Sequence, residues 1–177
     1  MNYYKNFLKK LIEILKYHAL NVKKLSEKHK NKKDRNYYDG LLLGYYEILS
    51  GMKNRLWSFG IPLKEVKFDI DPDRDLLGST WKGYYKRFGT HDESAYKYFL
   101  PYFIEFVKED ALEAKNDLKT SKKSDEKLFH KGRLFAYYEA LDTIKKQLIA
   151  FQIPLKEVKF DIDPDRDLLG KGKRRNK

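Results

Sequence analysis

The chain of 177 residues contains no cysteine, and none of its apolar runs approaches the about 20 residues that a membrane-spanning helix needs. The absence of cysteine excludes a disulfide scaffold, a zinc–thiolate site and a cysteine nucleophile. The first ten residues, MNYYKNFLKK, lack the apolar core followed by small residues that marks a secretory signal. We therefore expect a cytoplasmic protein that does not contact a membrane.

Signatures of catalysis are also missing. The sequence has no glycine-rich phosphate loop, no G-x-S-x-G elbow and no H-E-x-x-H motif. Its histidines lack partners at metal-ligand spacing; they are His18, His29, His91 and His130. We therefore predict no catalytic residues, no metal site and no cofactor, and we do not expect an enzyme.

An internal duplication is the main feature that the sequence does contain. Residues 61–78 read IPLKEVKFDIDPDRDLLG, and residues 153–170 repeat all 18 letters at an offset of 92. Upstream, residues 36–60 match residues 128–152 at nine of 25 positions. Two interpretations of the identical segments stay open: they make the same contact twice, or recent recombination has made them uniform.

The duplication divides the chain into four parts. These are a first repeat (2–78), a linker (79–93), a second repeat (94–170) and a basic tail (171–177) that we expect to be disordered. The linker mixes basic and aromatic side chains. These could stack on bases, but we expect them to pin the linker onto the two repeats, which form one compact unit.

Each repeat has the periodicity of two amphipathic helices. In the first repeat, apolar residues recur at steps of three and four over residues 3–28 and 36–59, with a polar turn between them. The second repeat predicts helices over 94–119 and 126–151, and Pro101 either kinks the first of these or marks its start. Gly60 is placed to end the second helix of the first repeat, and Gln152 replaces it in the second repeat.

The repeated segment is less regular. Residues 66–70 alternate between apolar and polar, which fits a short strand or an extended tether. Asp71 followed by Pro72 predicts an N-cap and a short helix that ends at Gly78. The predicted fold class is all-α, with two duplicated αα-hairpins in a pseudo-twofold helical bundle, each followed by an extended segment and a short helix. A stack of short helical repeats is the alternative.

The net charge of +12 is unevenly distributed. The first repeat carries +6, the linker +1, the second repeat zero and the tail +5. Residues 23–35 alone hold seven basic and two acidic residues. A groove that follows phosphates is expected to spread its basic residues over the fold, so this distribution makes nucleic-acid binding the second choice.

Alternating aspartates form the strongest candidate for a binding site. They are Asp69, Asp71, Asp73 and Asp75 in the first copy and Asp161, Asp163, Asp165 and Asp167 in the second. An EF-hand also begins D-x-D-x-D, but it needs glycine at its sixth and glutamate at its twelfth position, where the first copy has Arg74 and Thr80. We therefore reject an EF-hand and keep weak surface calcium binding as a minor alternative.

Two interpretations of these aspartates differ in function. Capping of a short helix and the helix dipole account for two or three of the four in each copy. The functional interpretation is an acidic loop that binds a basic partner. On that interpretation the eight aspartates, together with Arg74 and Arg166, are the predicted partner-binding residues.

A Tyr-Tyr-Glu triplet also occurs at equivalent positions, ending at Glu47 and Glu139. These glutamates either face each other across a pseudo-twofold axis, lie on solvated faces, or bond to a tyrosine hydroxyl.

The stretch YYDGLLLGYYEILSGMKNRLWSFGIPLKEVKFDIDPDRDLL and its counterpart in the second repeat resemble small helical immunity proteins. Such proteins are encoded beside polymorphic or contact-dependent growth-inhibition toxins of bacteria. The resemblance implies a cytosolic protein that binds one cognate toxin domain, often a nuclease, and blocks its active site. We expect a monomer or a homodimer. Nuclease inhibitors tend to be acidic, and this chain departs from that pattern. The alternative function is that of a basic helical RNA- or DNA-binding protein.

Overall fold

A computed structural model describes residues 2–29, 31–78 and 94–171. The predicted linker (79–93) and the tail beyond Lys171 lie outside these ranges, so the expectations of a pinned linker and a disordered tail stay predictions.

Long helices dominate the described residues. They are α1 (Tyr3–Lys28), α2 (Lys32–Ser58), α4 (Ala95–Thr120) and α5 (Ser124–Ala150), with α3 (Pro72–Asp75) as a single turn. A 3₁₀ turn covers Leu63–Val66, and a one-turn π-helix covers Pro164–Leu168. The three described ranges contain no strand, so the predicted all-helical bundle is confirmed. Val66 ends the 3₁₀ turn, and residues 67–70 form a tether.

The apolar stripes of the long helices meet in one core. α1 packs against α2, α4 packs against α5, and α2 and α5 make the most extensive contact in the centre. Tyr45, Tyr96 and Tyr137 are the largest fully buried side chains of this core. Burying these stripes together supplies the hydrophobic stabilisation that no hairpin has alone.

The central helices α2 and α5 run in the same direction. Their contacts, in order along α2, are Lys32 with Asp125, Gly40 with Phe129, Gly44 with Ala136 and Tyr45 with Glu139. Residue numbers rise together on the two helices, which is the signature of a parallel pair. The α1–α2 turn and the α4–α5 turn therefore lie at the same end of the bundle, which we call the loop end.

The start of α2 differs from the sequence prediction by more than any other boundary of the long helices, and the structure decides between the two alternatives for Pro101. α2 begins at Lys32, four residues before the predicted start, because the Asn31 side chain accepts a hydrogen bond from the Lys33 N–H at 3.0 Å and caps it. Pro101 lies inside α4 and does not mark its start, which is Ala95. The polar turn of the first repeat is thus shorter than expected, and most of its basic residues are helical.

α2 and α5 end in the same backbone motif with different residues. Gly60, the predicted terminator, has φ 68° and Gln152 has φ 55°, both in the left-handed region. The next residue donates back to the helix in each case, with Ile61 N to Leu56 O at 2.8 Å and Ile153 N to Leu148 O at 2.9 Å. This is the Schellman arrangement, which favours glycine at the left-handed position.

Replacing Gln152 with glycine is expected to raise the free energy of unfolding by about 0.5 kcal/mol, because glycine adopts positive φ without steric strain. The reverse change, Gly60→Gln, is expected to lower it by about 1 kcal/mol. Urea unfolding followed by circular dichroism measures both. A Gln152→Gly protein less stable than the parent would contradict the assignment.

Candidate functional site

The two repeated segments lie on the outside of the bundle, each along the first helix of its own repeat. In the first segment, Glu65 pairs with Lys5, Asp69 with Lys16, and the Asp75 carbonyl oxygen with Lys23 Nζ at 2.8 Å. The segment therefore follows α1 towards the loop end. Val66, Phe68 and Ile70 are buried while the residues between them are exposed. The apolar side chains of the predicted alternation therefore anchor the segment to the bundle.

Asp69 and Asp161 are each held by one lysine of the adjacent long helix. Asp69 pairs with Lys16, and Asp161 Oδ1 lies 2.5 Å from Lys108 Nζ. These hydrogen bonds from lysine hold the pKa of both carboxyls below the usual value. The side chains are nevertheless 72% and 74% exposed, so both negative charges face solvent and are accessible to a partner.

The predicted cap of α3 by the Asp71 side chain is wrong. That side chain makes no capping bond, and its Oδ1 lies 3.5 Å from Lys53 Nζ. Instead, Asp75 Oδ2 accepts a hydrogen bond from the Asp71 N–H at 2.8 Å, while Arg74 Nε donates to Asp75 Oδ1 at 2.7 Å. The Arg74 hydrogen bond lowers the pKa of Asp75. The predicted left-handed glycine follows at Gly78, with φ 70°.

The second segment repeats this arrangement. Asp167 Oδ2 accepts from the Asp163 N–H at 2.8 Å, and Arg166 Nε donates to Asp167 Oδ1 at 2.6 Å. The Arg166 hydrogen bond lowers the pKa of Asp167 to about 2. Arg74 and Arg166 thus neutralise a neighbouring aspartate in their own segment.

The remaining two aspartates accept hydrogen bonds from tyrosines of the second helices. The Tyr46 hydroxyl donates to Asp73 at 2.9 Å, and the Tyr138 hydroxyl donates to Asp165 at 3.2 Å. The ten predicted partner-binding residues therefore lie on two surface tethers, and several of their carboxylates hold the tether to its helices. Binding of a partner by these residues stays a prediction.

The two glutamates of the Tyr-Tyr-Glu triplets bond to tyrosine hydroxyls of the opposite repeat, which was one of the expected alternatives. Tyr45 donates to Glu139 and Tyr137 donates to Glu47, both at 2.9 Å. Burial and the neighbouring carboxylate raise the pKa of both tyrosines. The His18 Nδ1 also lies 3.1 Å from the Tyr45 oxygen.

A charged cluster around Arg133 was not predicted. Arg133 Nε donates to Glu47 at 2.8 Å and its Nη1 donates to Asp117 at 2.8 Å, with the arginine side chain only 10% exposed. Burial alone would lower the pKa of Arg133, but the hydrogen bond to Glu47 raises it. The first repeat has Leu41 at the equivalent position. Comparing the two repeats would therefore have identified an arginine at a position that is apolar in the other copy.

An exposed aromatic pair on α4 was also missed. Tyr98 and Tyr102 are 60% and 64% exposed, one helical turn apart. With Pro101, Glu105 and Lys159 they line an open hollow of about 310 Å³. The equivalent positions of the first repeat hold Asn6 and Lys10, so only the second repeat carries the pair.

Two features are absent from the described ranges. Within residues 2–29, 31–78 and 94–171, no three histidine or carboxylate side chains are grouped so that they could hold a metal ion. Among the same residues, no helix combines the length and apolar character needed to cross a membrane.

Comparisons of the chain with protein-family models, with curated proteins and with solved structures found no match.

Proposed function

We propose that the chain is an immunity-type inhibitor that binds and neutralises a cognate bacterial toxin domain through a protein–protein interface. The observation that supports this most is the exposed aromatic pair beside an exposed carboxylate on the second repeat. Tyrosines that present a large apolar area and a polar tip are enriched in such interfaces. Glu105 links the two features, since it lines the hollow with Tyr102 and shares Lys108 with Asp161.

The proposal also concerns how the two repeats are arranged in the bundle. We infer that the bundle is a fused pair of duplicated hairpins related by a pseudo-twofold axis. This inference is supported by contacts between the repeats that occur twice, once in each direction. Gly40 meets Phe129 as Gly132 meets Tyr37, Tyr45 bonds to Glu139 as Tyr137 bonds to Glu47, and Tyr4 bonds to Glu157 as Tyr96 bonds to Glu65. Adding 92 to the first-repeat residue number and subtracting 92 from the second-repeat residue number converts each contact into the equivalent contact of its pair.

The interface that we propose lies on the second repeat. Tyr98, Tyr102 and Asp161 form it, with the remaining aspartates of residues 153–170 at its border. At the equivalent positions the first repeat carries Asn6, Lys10 and Asp69, so it keeps the carboxylate and lacks these two tyrosines, although Tyr3 and Phe151 line a hollow beside Asn6. A comparison of the two repeats therefore separates the contributions of charge and aromatic contact.

The test is co-expression with the product of the adjacent gene. We expect that product alone to arrest growth, and that this protein restores growth and co-purifies with it as a stoichiometric complex. An adjacent product that is harmless and forms no complex would refute the proposal.

The interface is then tested by substitution. Tyr98→Asn with Tyr102→Lys copies the first repeat and is expected to weaken the complex at least 30-fold, the size of one interface hot spot. Asp161→Asn is expected to weaken it several-fold. The matched controls are Tyr17→Asn, which removes an exposed tyrosine from the first repeat, and Asp69→Asn; both should leave affinity unchanged. Equal effects of Asp69→Asn and Asp161→Asn would refute the assignment to the second repeat.

A further inference from the structure

We propose that the loop end of the bundle binds the phosphate backbone of a nucleic acid without sequence preference. This is a second surface, and it is separate from the toxin interface on α4. The observation behind it is the parallel course of α2 and α5, which brings the turns of both repeats to one end.

The net charge of the fold is concentrated at this end. Residues 23–39 hold seven basic and three acidic residues, and the equivalent residues 115–131 hold six basic and three acidic, so the two windows carry +7 of the +12. Residues 171–177 carry the other +5, and all remaining residues sum to zero. The second repeat is neutral as a whole, but its loop-end window is basic. Apart from the tail, the net charge of the sequence therefore falls in two windows whose described residues meet at the loop end.

The lysines of this end are available to a ligand. Seven of them are exposed and have no carboxylate oxygen within 4 Å among the described residues; they are Lys24, Lys28, Lys33, Lys119, Lys122, Lys127 and Lys131. By contrast, Lys16 and Lys108 on the flanks each pair with an aspartate of a repeated segment. Lysines that have no ion pair to break can exchange their counterions for phosphates at little cost.

The chemistry of the surface favours a nucleic acid over a lipid membrane. Within the described residues of the two windows, Leu25 is the one large apolar side chain that is exposed, at 38%. Stable attachment to a membrane needs an apolar insertion in addition to positive charge. The aromatic rings here are engaged with each other, since His29 stacks on Tyr38 at 4.6 Å, and they offer no platform for bases. Contact is therefore made with the backbone phosphates.

The test measures binding of the full chain to a fluorescein-labelled random 30-base-pair DNA duplex by anisotropy between 50 and 200 mM NaCl. The loop-end variant carries Lys28→Gln, Lys33→Gln, Lys122→Gln and Lys127→Gln. The control variant carries Lys64→Gln, Lys67→Gln, Lys156→Gln and Lys159→Gln, which remove the same charge. These lysines are also exposed, have no carboxylate oxygen within 4 Å among the described residues, and lie nearer the opposite end of the bundle. Thermal unfolding of both variants verifies that they are folded.

We expect the loop-end variant to lose at least tenfold in affinity at 50 mM NaCl. The plot of log affinity against log salt concentration should become shallower, with a slope smaller in magnitude by about 0.9 for each lysine that contacts a phosphate. The control variant should change less than threefold. The proposal is overturned by equal losses in both variants, by no binding of the parent at 50 mM NaCl, or by binding to vesicles of 30% phosphatidylserine in phosphatidylcholine without binding to DNA. Intact toxin binding by the loop-end variant would separate this result from the proposed inhibitor function.

Discussion

Replacing Gly40 with alanine is expected to lower the free energy of unfolding by about 3 kcal/mol, at the upper end of the range for an overpacked core. A Cβ on Gly40 would lie 1.9 Å from the Phe129 carbonyl oxygen, and one on Gly132 would lie 2.0 Å from the Tyr37 carbonyl oxygen. These atoms belong to helix backbones, so no side chain can rotate to make room. α2 and α5 have to move apart, which opens the centre of the core.

The sign of this change in the free energy of unfolding distinguishes close helix packing from intrinsic helix propensity. In an isolated helix the same change would stabilise by about 1 kcal/mol, because alanine has the higher helix propensity. Urea unfolding of Gly40→Ala and Gly132→Ala measures the change in the folded protein. Gly78→Ala is the control, since Gly78 has φ 70° and nothing lies within 4 Å of its added Cβ; about 1 kcal/mol of backbone strain is expected there. A Gly40→Ala protein as stable as the parent would show that the helices do not pack this closely.

Replacing Arg133 with leucine, the residue of the first repeat, is expected to cost about 3 kcal/mol. The guanidinium bonds to Glu47 and Asp117 and is nearly buried, so its loss leaves two partly buried carboxylates without their cation. Leucine is similar in size to the methylene part of arginine. The lowered free energy of unfolding therefore comes from the missing positive charge and not from a cavity. Chemical unfolding monitored by circular dichroism gives the value.

A second substitution identifies the cause. Adding Glu47→Gln to Arg133→Leu removes the stranded charge, and we expect it to recover about 1 kcal/mol or more in a double-mutant cycle. Lys131→Leu, at an exposed position two residues earlier, serves as the control for a charge change on α5 and is expected to stay within about 0.5 kcal/mol of the parent. No coupling between Glu47 and Arg133 would mean that the cluster contributes nothing to stability.

The fold was largely predictable because its elements depend on local pattern. Steps of three and four in apolar residues located the four long helices, and the left-handed ends at Gly60 and Gly78 followed from glycine. The parallel course of α2 and α5 was not predicted, because it depends on the close approach of Gly40 and Gly132 to the opposite backbone. A single sequence shows the glycines but not which surface they meet.

The candidate site was predictable only in part. The pattern located the aspartates on two surface segments, but the partners of Asp69 and Asp73 are Lys16 and Tyr46, which lie 53 and 27 residues earlier in the chain. Such distant contacts are set by tertiary packing and cannot be read from local spacing. The aromatic pair at Tyr98 was visible in the sequence, but its exposure was not, since helix periodicity alone does not say which of several aromatic faces turns inward.

The Arg133 cluster has one consequence for how a partner meets the molecule. Where the second repeat places Arg133 and Asp110, the first repeat places Leu41 and His18, although the tyrosine–glutamate pairs are kept on both sides. The two tyrosine–glutamate pairs are therefore surrounded by different charges. A ligand therefore meets a different electrostatic field beside Tyr137 and its Arg133 cluster than beside Tyr45 and its His18 neighbour, so the two ends of a bound ligand are not interchangeable.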